Sequence, residues 1–132
     1  MEDQEQEPQA SPELTFTKVE DFVTAYANNV QFEQNAWDIK MIFGELDQTG
    51  GKTNVVEQHT SITLSWAEAK VLSFFLRVQI AAHEIEDGKI QIPKRVLPQE
   101  PGALAAEYKT NPGAIAVREA VIKLREQFLA EL

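Results

Sequence analysis

The chain predicts an α+β fold: an antiparallel three- to four-stranded sheet with one long helix packed on one face, plus a C-terminal amphipathic helix. Three observations carry this. Apolar residues alternate with period two through "VQFEQNAWDIKMIFG" and again through "NVVEQHTSITL", the spacing that places one face of a strand in a core. A long stretch, "SWAEAKVLSFFLRVQIAAHEIEDG", then changes to helical spacing between an S-x-x-E capping box and a glycine, the start and stop signals of a helix. Finally "NPGAIAVREAVIKLREQFLAEL" opens on Asn and Pro and keeps apolar residues on one side, as an amphipathic helix does.

Taken in chain order, residues 1–13 hold five acids and two prolines with no large apolar side chain. They cannot repay the entropy of ordering, so an acidic disordered tail is expected there. "LTFTKVEDFV" brings in Leu14, Phe16, Val19, Phe22 and Val23; Thr17 and Glu20 have capping-box spacing for a short helix, and a strand fits the same letters. The first hairpin follows: Tyr26, Val30 and Phe32 share one parity, and after Gln34–Asn35 the series Trp37, Ile39, Met41 and Phe43 alternates in its turn. In the third strand Val56, Ile62 and Leu64 share a parity. Ser65 and Glu68 then cap a helix from Trp66 to Asp87 that ends on Gly88. Val71, Phe74, Phe75, Val78, Ala81, Ala82 and Ile85 form its broad stripe, suited to covering the sheet. Ala69, Leu72, Leu76 and Ile80, with His83, make a second stripe that also asks for cover. "KIQIP" is a candidate edge strand ended by Pro93. Residues 94–111 are a proline-rich connector with one helical turn in "GALAAEY". The organisation is thus a tail (1–13), a β-β-β-α core domain (14–93), a connector (94–111) and a C-terminal helix (112–132).

Length and charge bound function. With 132 residues, 43% of them hydrophobic, the chain suits one small domain with a core. It has no cysteine, which removes disulfides, thiolate metal sites and thiol chemistry. No apolar run nears the roughly 18 residues of a membrane span, and "MEDQEQEPQA" has no signal-peptide pattern, so a soluble cytoplasmic protein is expected. Residues 1–87 carry 5 Lys/Arg against 16 Asp/Glu, a charge of −11, while residues 88–132 carry 7 against 5, a charge of +2. An acidic chain repels phosphates and anionic lipid.

"GELDQTGGKT" ends in the letters of a phosphate loop. Such a loop needs a glycine five residues before Gly51 and a helix after it. Position 46 is Leu46, and a strand pattern follows Thr53, so "DQTGGKTN" is expected to be a hairpin loop, with Gly50 and Gly51 as the residues suited to positive φ. His59 lies beside Glu57 and Ser61 on the outward parity with no oxyanion donor in sight, a solvated strand face rather than a triad. His83 and Asp87 have the i, i+4 spacing of helical metal ligands, but the second histidine of H-E-x-x-H is lacking. Outward sheet positions Gln31, Glu33, Asp38, Lys40, Glu57 and His59 offer three acids to one lysine, poor for nucleic acid.

Tyr26 and Asn28, then Asp38, Met41, Phe43 and Gly44, then Ser65, Ala69 and Lys70, then Gly88 and Ile90 occur in an order that resembles a family of short bacterial proteins, the domain of unknown function three-four-six-seven, over about residues 25–93. The resemblance implies a β-β-β-α unit with no established activity, and a C-terminal helix added to it.

The function expected from these features is a non-catalytic, homo-oligomeric interaction module, a dimer, with no catalytic residue, cofactor or metal and no membrane partner. Its candidate interface is Leu72, Leu76, Ile80, His83, Val117, Val121, Leu124 and Phe128. The alternative is a nucleic-acid-associated regulator using Lys89, Lys94, Arg95, Lys109, Arg118, Lys123 and Arg125; a small enzyme ranks third.

Overall fold

The structure is a computed structural model that describes residues 12–46 and 54–132. The strand β1 (Asn29–Gln34), β2 (Asp38–Leu46) and β3 (Val56–Ser65) form one antiparallel sheet in the order β1-β2-β3. Two helices follow, α1 (Trp66–Asp87) and α2 (Pro112–Ala130). No helix among the described residues is long and apolar enough to cross a membrane. The chain divides into two compact units, one ending at Ala69 and one beginning at Lys70.

In the first unit the β1–β2 turn is built by Asn35. Its Oδ1 accepts from the backbone N–H of Trp37 (2.8 Å) and Asp38 (2.9 Å), and its Nδ2 donates to Asp38 Oδ1 (2.7 Å). This is the local bonding by which Asn replaces ladder partners in turns. The indole Nε1 of Trp66 donates to the Asn35 carbonyl at 2.9 Å, so the first residue of α1 is tied to the hairpin turn. Directly opposed residues share a face in an antiparallel pair. The register therefore puts Val30 and Phe32, Ile39, Met41 and Phe43, and Ile62 and Leu64 on one face, and Gln31, Glu33, Asp38, Lys40, Ser61 and Thr63 on the other. Lys40 and Glu33 pair on the polar face at 3.8 Å, an exposed contact of small energetic weight.

Several expectations change. The segment from Leu14 to Val23 is neither helix nor strand: a single turn closes where the Phe22 N–H meets the Val19 carbonyl at 3.1 Å. One such bond cannot nucleate a helix, whose first turn fixes many dihedrals for little return. β1 begins at Asn29, leaving Tyr26 outside the strand, and Trp37 belongs to the turn, 81% exposed. The sheet has three strands, not four, because "KIQIP" forms none among the described residues: the Ile90 N–H is taken by Glu84 Oε2 at 2.9 Å and Pro93 has none to give. The acidic tail up to residue 11 and the loop expected at residues 47–53 lie outside the described residues; β3 starts at Val56, so a strand rather than a helix follows Gly50–Gly51.

The parity of β3 is also broken. Phe43 faces Thr60 while Gly44 faces Gln58, so His59 is the extra residue of a β-bulge. Val56 consequently stands opposite Leu46, and Glu57 opposite Glu45; Val56 leaves the face of Ile62 and Leu64, and Glu57 leaves the polar one.

The helix ends follow their letters. Ser65 Oγ accepts from the Glu68 N–H (3.2 Å) at the start of α1, and Gly88, with φ +89°, closes it through its N–H to the Glu84 carbonyl (3.0 Å). Asn111 Oδ1 accepts from Ala114 N–H at 3.2 Å, with Pro112 at the first helical position of α2. The connector contains two 3-10 turns, Lys94–Val96 and Ala106–Tyr108.

Candidate interaction site

Asn111 fixes the start of α2, and two arginines then bind the connector along it. Arg118 Nε donates to the Gly102 carbonyl (2.9 Å) and its Nη2 to that of Pro101 (3.5 Å); Arg125 Nε donates to the Pro98 carbonyl (2.9 Å) and its Nη1 lies 3.7 Å from Glu100 Oε1. Ile115, Arg118, Ile122, Arg125 and Leu129, spaced by three and four, are the half-buried side of α2. Leu97, Pro101 and Leu104 of the connector are half-buried as well. Carbonyls of a non-helical segment need donors, and the guanidinium forks supply them.

The other side of α2 looks onto a groove shared with α1. Lys89 Nζ donates to the Glu131 carbonyl at 2.7 Å, and Arg77 Nη2 stands 3.6 Å from Glu131 Oε1, joining the two helices near the end of α2. Between them lies an open groove of about 870 Å³, walled by Phe74, Val78, Ile80 and Ala81 of α1, by Ile90 and Ile92 beyond its end, and by Leu124, Phe128 and Leu132. Arg77 and Glu84 stand on the α1 wall, Gln127 and Glu131 on the other. The apolar liners are poorly covered: Phe74 is 60% exposed and Leu124 64%. Among the described residues only Gly44 is buried.

Of the eight residues expected at an interface, Ile80, Leu124 and Phe128 line the groove. Leu72 is half-buried on another side of α1 and Leu76 is 53% exposed there. Val117 and Val121 are exposed outside the groove. His83 Nδ1 pairs with Asp87 Oδ2 at 3.2 Å; among the described residues no three His, Cys, Asp or Glu side chains gather to hold a metal ion. Sequence reasoning gave Phe74, Val78 and Ala81 to the sheet and passed over Arg77 and Glu84. Of the basic residues considered for nucleic acid, Lys89, Arg118 and Arg125 bond to backbone carbonyls.

A second constellation sits at the open end of the sheet. The Asn28 side chain copies a strand residue: Oδ1 accepts from Leu46 N–H (2.7 Å) and Nδ2 donates to the Leu46 carbonyl (3.0 Å), while Asn28 N–H reaches the Gly44 carbonyl (3.1 Å). His59, pushed out by the bulge, donates from Nε2 to the Tyr26 carbonyl at 2.8 Å, which leaves Nδ1 to accept from the Thr60 hydroxyl, also at 2.8 Å. The solvated strand histidine thus ties β3 to the chain entering β1. Gly44 is where they cross: a Cβ there would stand 2.6 Å from the Glu57 carbonyl oxygen and 2.8 Å from Val56 Cγ1.

A family model described as Protein of unknown function (DUF3467) matches residues 1–92. The chain belongs to this family. The match starts earlier than the motifs suggested and stops before α2, and neither a curated protein nor a solved structure matches. Within the DUF3467 region the motif letters have structural occupations: Asn28 extends the ladder, Asp38 closes the Asn35 turn, Gly44 admits the bulge, and Ser65 and Gly88 bound α1.

Proposed function

We propose that this chain is a non-catalytic interaction module whose partner is a second copy of itself. The observation that supports this is the groove between α1 and α2, whose aromatic and aliphatic walls are left largely open. Monomers seldom leave contiguous apolar surface of that kind exposed. Covering each large side chain contributes roughly 1.5–3 kcal/mol before the costs of association. The nucleic-acid alternative draws less support, since three of its seven basic side chains are engaged with carbonyls of their own chain. Sedimentation equilibrium of the full chain tests the reading. A dimer is expected at twice the 14.8 kDa chain mass; a single 14.8 kDa species at every concentration sinks it.

A further inference from the structure

Resting on the homo-oligomer reading, we infer that the groove is filled by α1 of the second copy, running antiparallel to its own α1 about a twofold axis between Val78 and Ala81.

Val71, Phe74, Val78, Ala81 and Ile85 follow one another at spacings of three, four, three and four. That is the seam of a two-stranded coiled coil, and it ends at Gly88, where α1 ends. Phe74, Val78 and Ala81 face the groove, and Ile85, the next step of the seam, is 85% exposed.

The flanking charges select the direction and the register. In an antiparallel pair, seam layers join a residue of one helix to its complement on the other. Centring the axis between Val78 and Ala81 puts Phe74 against the second copy's position 85 and Val78 against its position 81, with the small side chains at the middle and the large ones outside. The residue before each Val78-type step then meets its counterpart one heptad on. These are Arg77 and Glu84, opposite charges that meet twice by symmetry. On the other flank Phe75 meets Ala82, an apolar pair. Among the described residues Arg77 is held only by the long contact to Glu131, with its side chain 74% exposed. Glu84 Oε2 accepts from Ile90 N–H, which aims the carboxylate and leaves Oε1 to receive a guanidinium.

The area agrees. Phe74, Phe75, Val78, Ile85, Leu124 and Phe128 are each between 37% and 85% exposed. At roughly 200 Å² for each free aromatic side chain and somewhat less for each aliphatic one, these residues offer at most about 700 Å² per copy for a partner to cover, of the same order as the roughly 800 Å² that each partner contributes to a stable interface.

Charge reversal on the full chain, read by sedimentation with circular dichroism as the folding control, tests the seam. Arg77→Glu sets two like-charged pairs face to face and is expected to raise the dissociation constant roughly tenfold or more; adding Glu84→Arg is expected to bring it back to within about threefold of the starting protein. A dimer indifferent to Arg77→Glu overturns the seam while leaving the homo-oligomer reading intact, whereas a monomeric unmodified chain overturns both. Should the charge variants misfold, cysteine cross-linking decides, because the chain has no cysteine of its own. Phe74→Cys mixed with Ile85→Cys should give a covalent dimer that neither gives alone, since antiparallel helices hold like positions too far apart for a disulfide. Cross-linking of either variant alone, or of neither combination, refutes the arrangement.

Discussion

Replacing Gly44 by alanine tests the account of the sheet most directly. The added Cβ would lie 2.6 Å from the Glu57 carbonyl oxygen, 2.8 Å from Val56 Cγ1 and 3.0 Å from the Gln58 Cα, against 3.4 Å or more for an ordinary contact. Two of these three atoms are backbone, so no rotamer change relieves them. The β2–β3 spacing must open by about 0.8 Å at the carbonyl, or the bulge at His59 must be lost along with its bond to Tyr26. Overpacking of this kind costs about 1–3 kcal/mol, and the rigid partners place Gly44→Ala in the upper part, about 2–3 kcal/mol. For a chain of this size that is a fall in melting temperature on the order of 10 °C. Thermal unfolding followed by circular dichroism measures it, with Gly102→Ala as the control. A Cβ at Gly102 meets nothing within 4 Å, and the change is expected to stay within roughly 0.5 kcal/mol. If the two variants melt together, the bulge does not need glycine and the register argument fails.

Other perturbations separate the remaining elements. Asn28→Ala removes both side-chain bonds to Leu46; because the site is exposed and water can replace part of them, a loss of about 1–2 kcal/mol in urea unfolding is expected, and no loss would mean the ladder does not depend on it. Asn111→Ala should cost about 1 kcal/mol through the α2 cap, checked by the same titration. Arg118→Ala with Arg125→Ala should free the connector carbonyls of Pro98, Pro101 and Gly102 and speed proteolytic cutting between residues 97 and 105; an unchanged digestion rate would show that the connector holds without them. Leu76→Glu, at a position 53% exposed and outside the groove, should leave both helicity and sedimentation mass nearly unchanged, and a lost oligomer would return that stripe to the interface.

The elements that announced themselves did so through residues with one dominant local use. Ser65, Gly88, Asn111 and Pro112 mark helix ends because they meet orphan backbone groups or positive φ wherever they occur, and both helices begin where those letters stand. The bulge was not visible in "NVVEQHTSITL", since its cause lies on the neighbouring strand: Gly44 alone lets the β3 backbone come close. Periodicity misled at "LTFTKVEDFV" and "KIQIP" because spacing records which side chains would share a face and says nothing about whether a partner backbone is present. On α2, Arg118 and Arg125 looked like surface cations, so the stripe they share with Ile115, Ile122 and Leu129 was overlooked; the carbonyls that bind them come from a segment with no periodic signal. The groove was half legible. Ile80, Leu124 and Phe128 were picked out, but the α1 wall belongs mainly to the stripe assigned to the sheet.

The way Asn28 stands in for a strand residue also sets a clock on the molecule. Asparagine is among the thermolabile residues, and slow hydrolysis of its amide turns the Nδ2 donor into a second carboxylate oxygen. At Leu46 that oxygen would face the carbonyl that Nδ2 now satisfies, replacing attraction by repulsion, while the other oxygen goes on accepting from the N–H. A single spontaneous chemical event at one side chain would thus weaken the end of the β1–β2 ladder, removing one of the three bonds Asn28 makes there, without any change in the encoded sequence. Aged protein would carry one more negative charge and an earlier-opening sheet in the same molecules, so that charge-resolved fractions of one preparation would differ in stability.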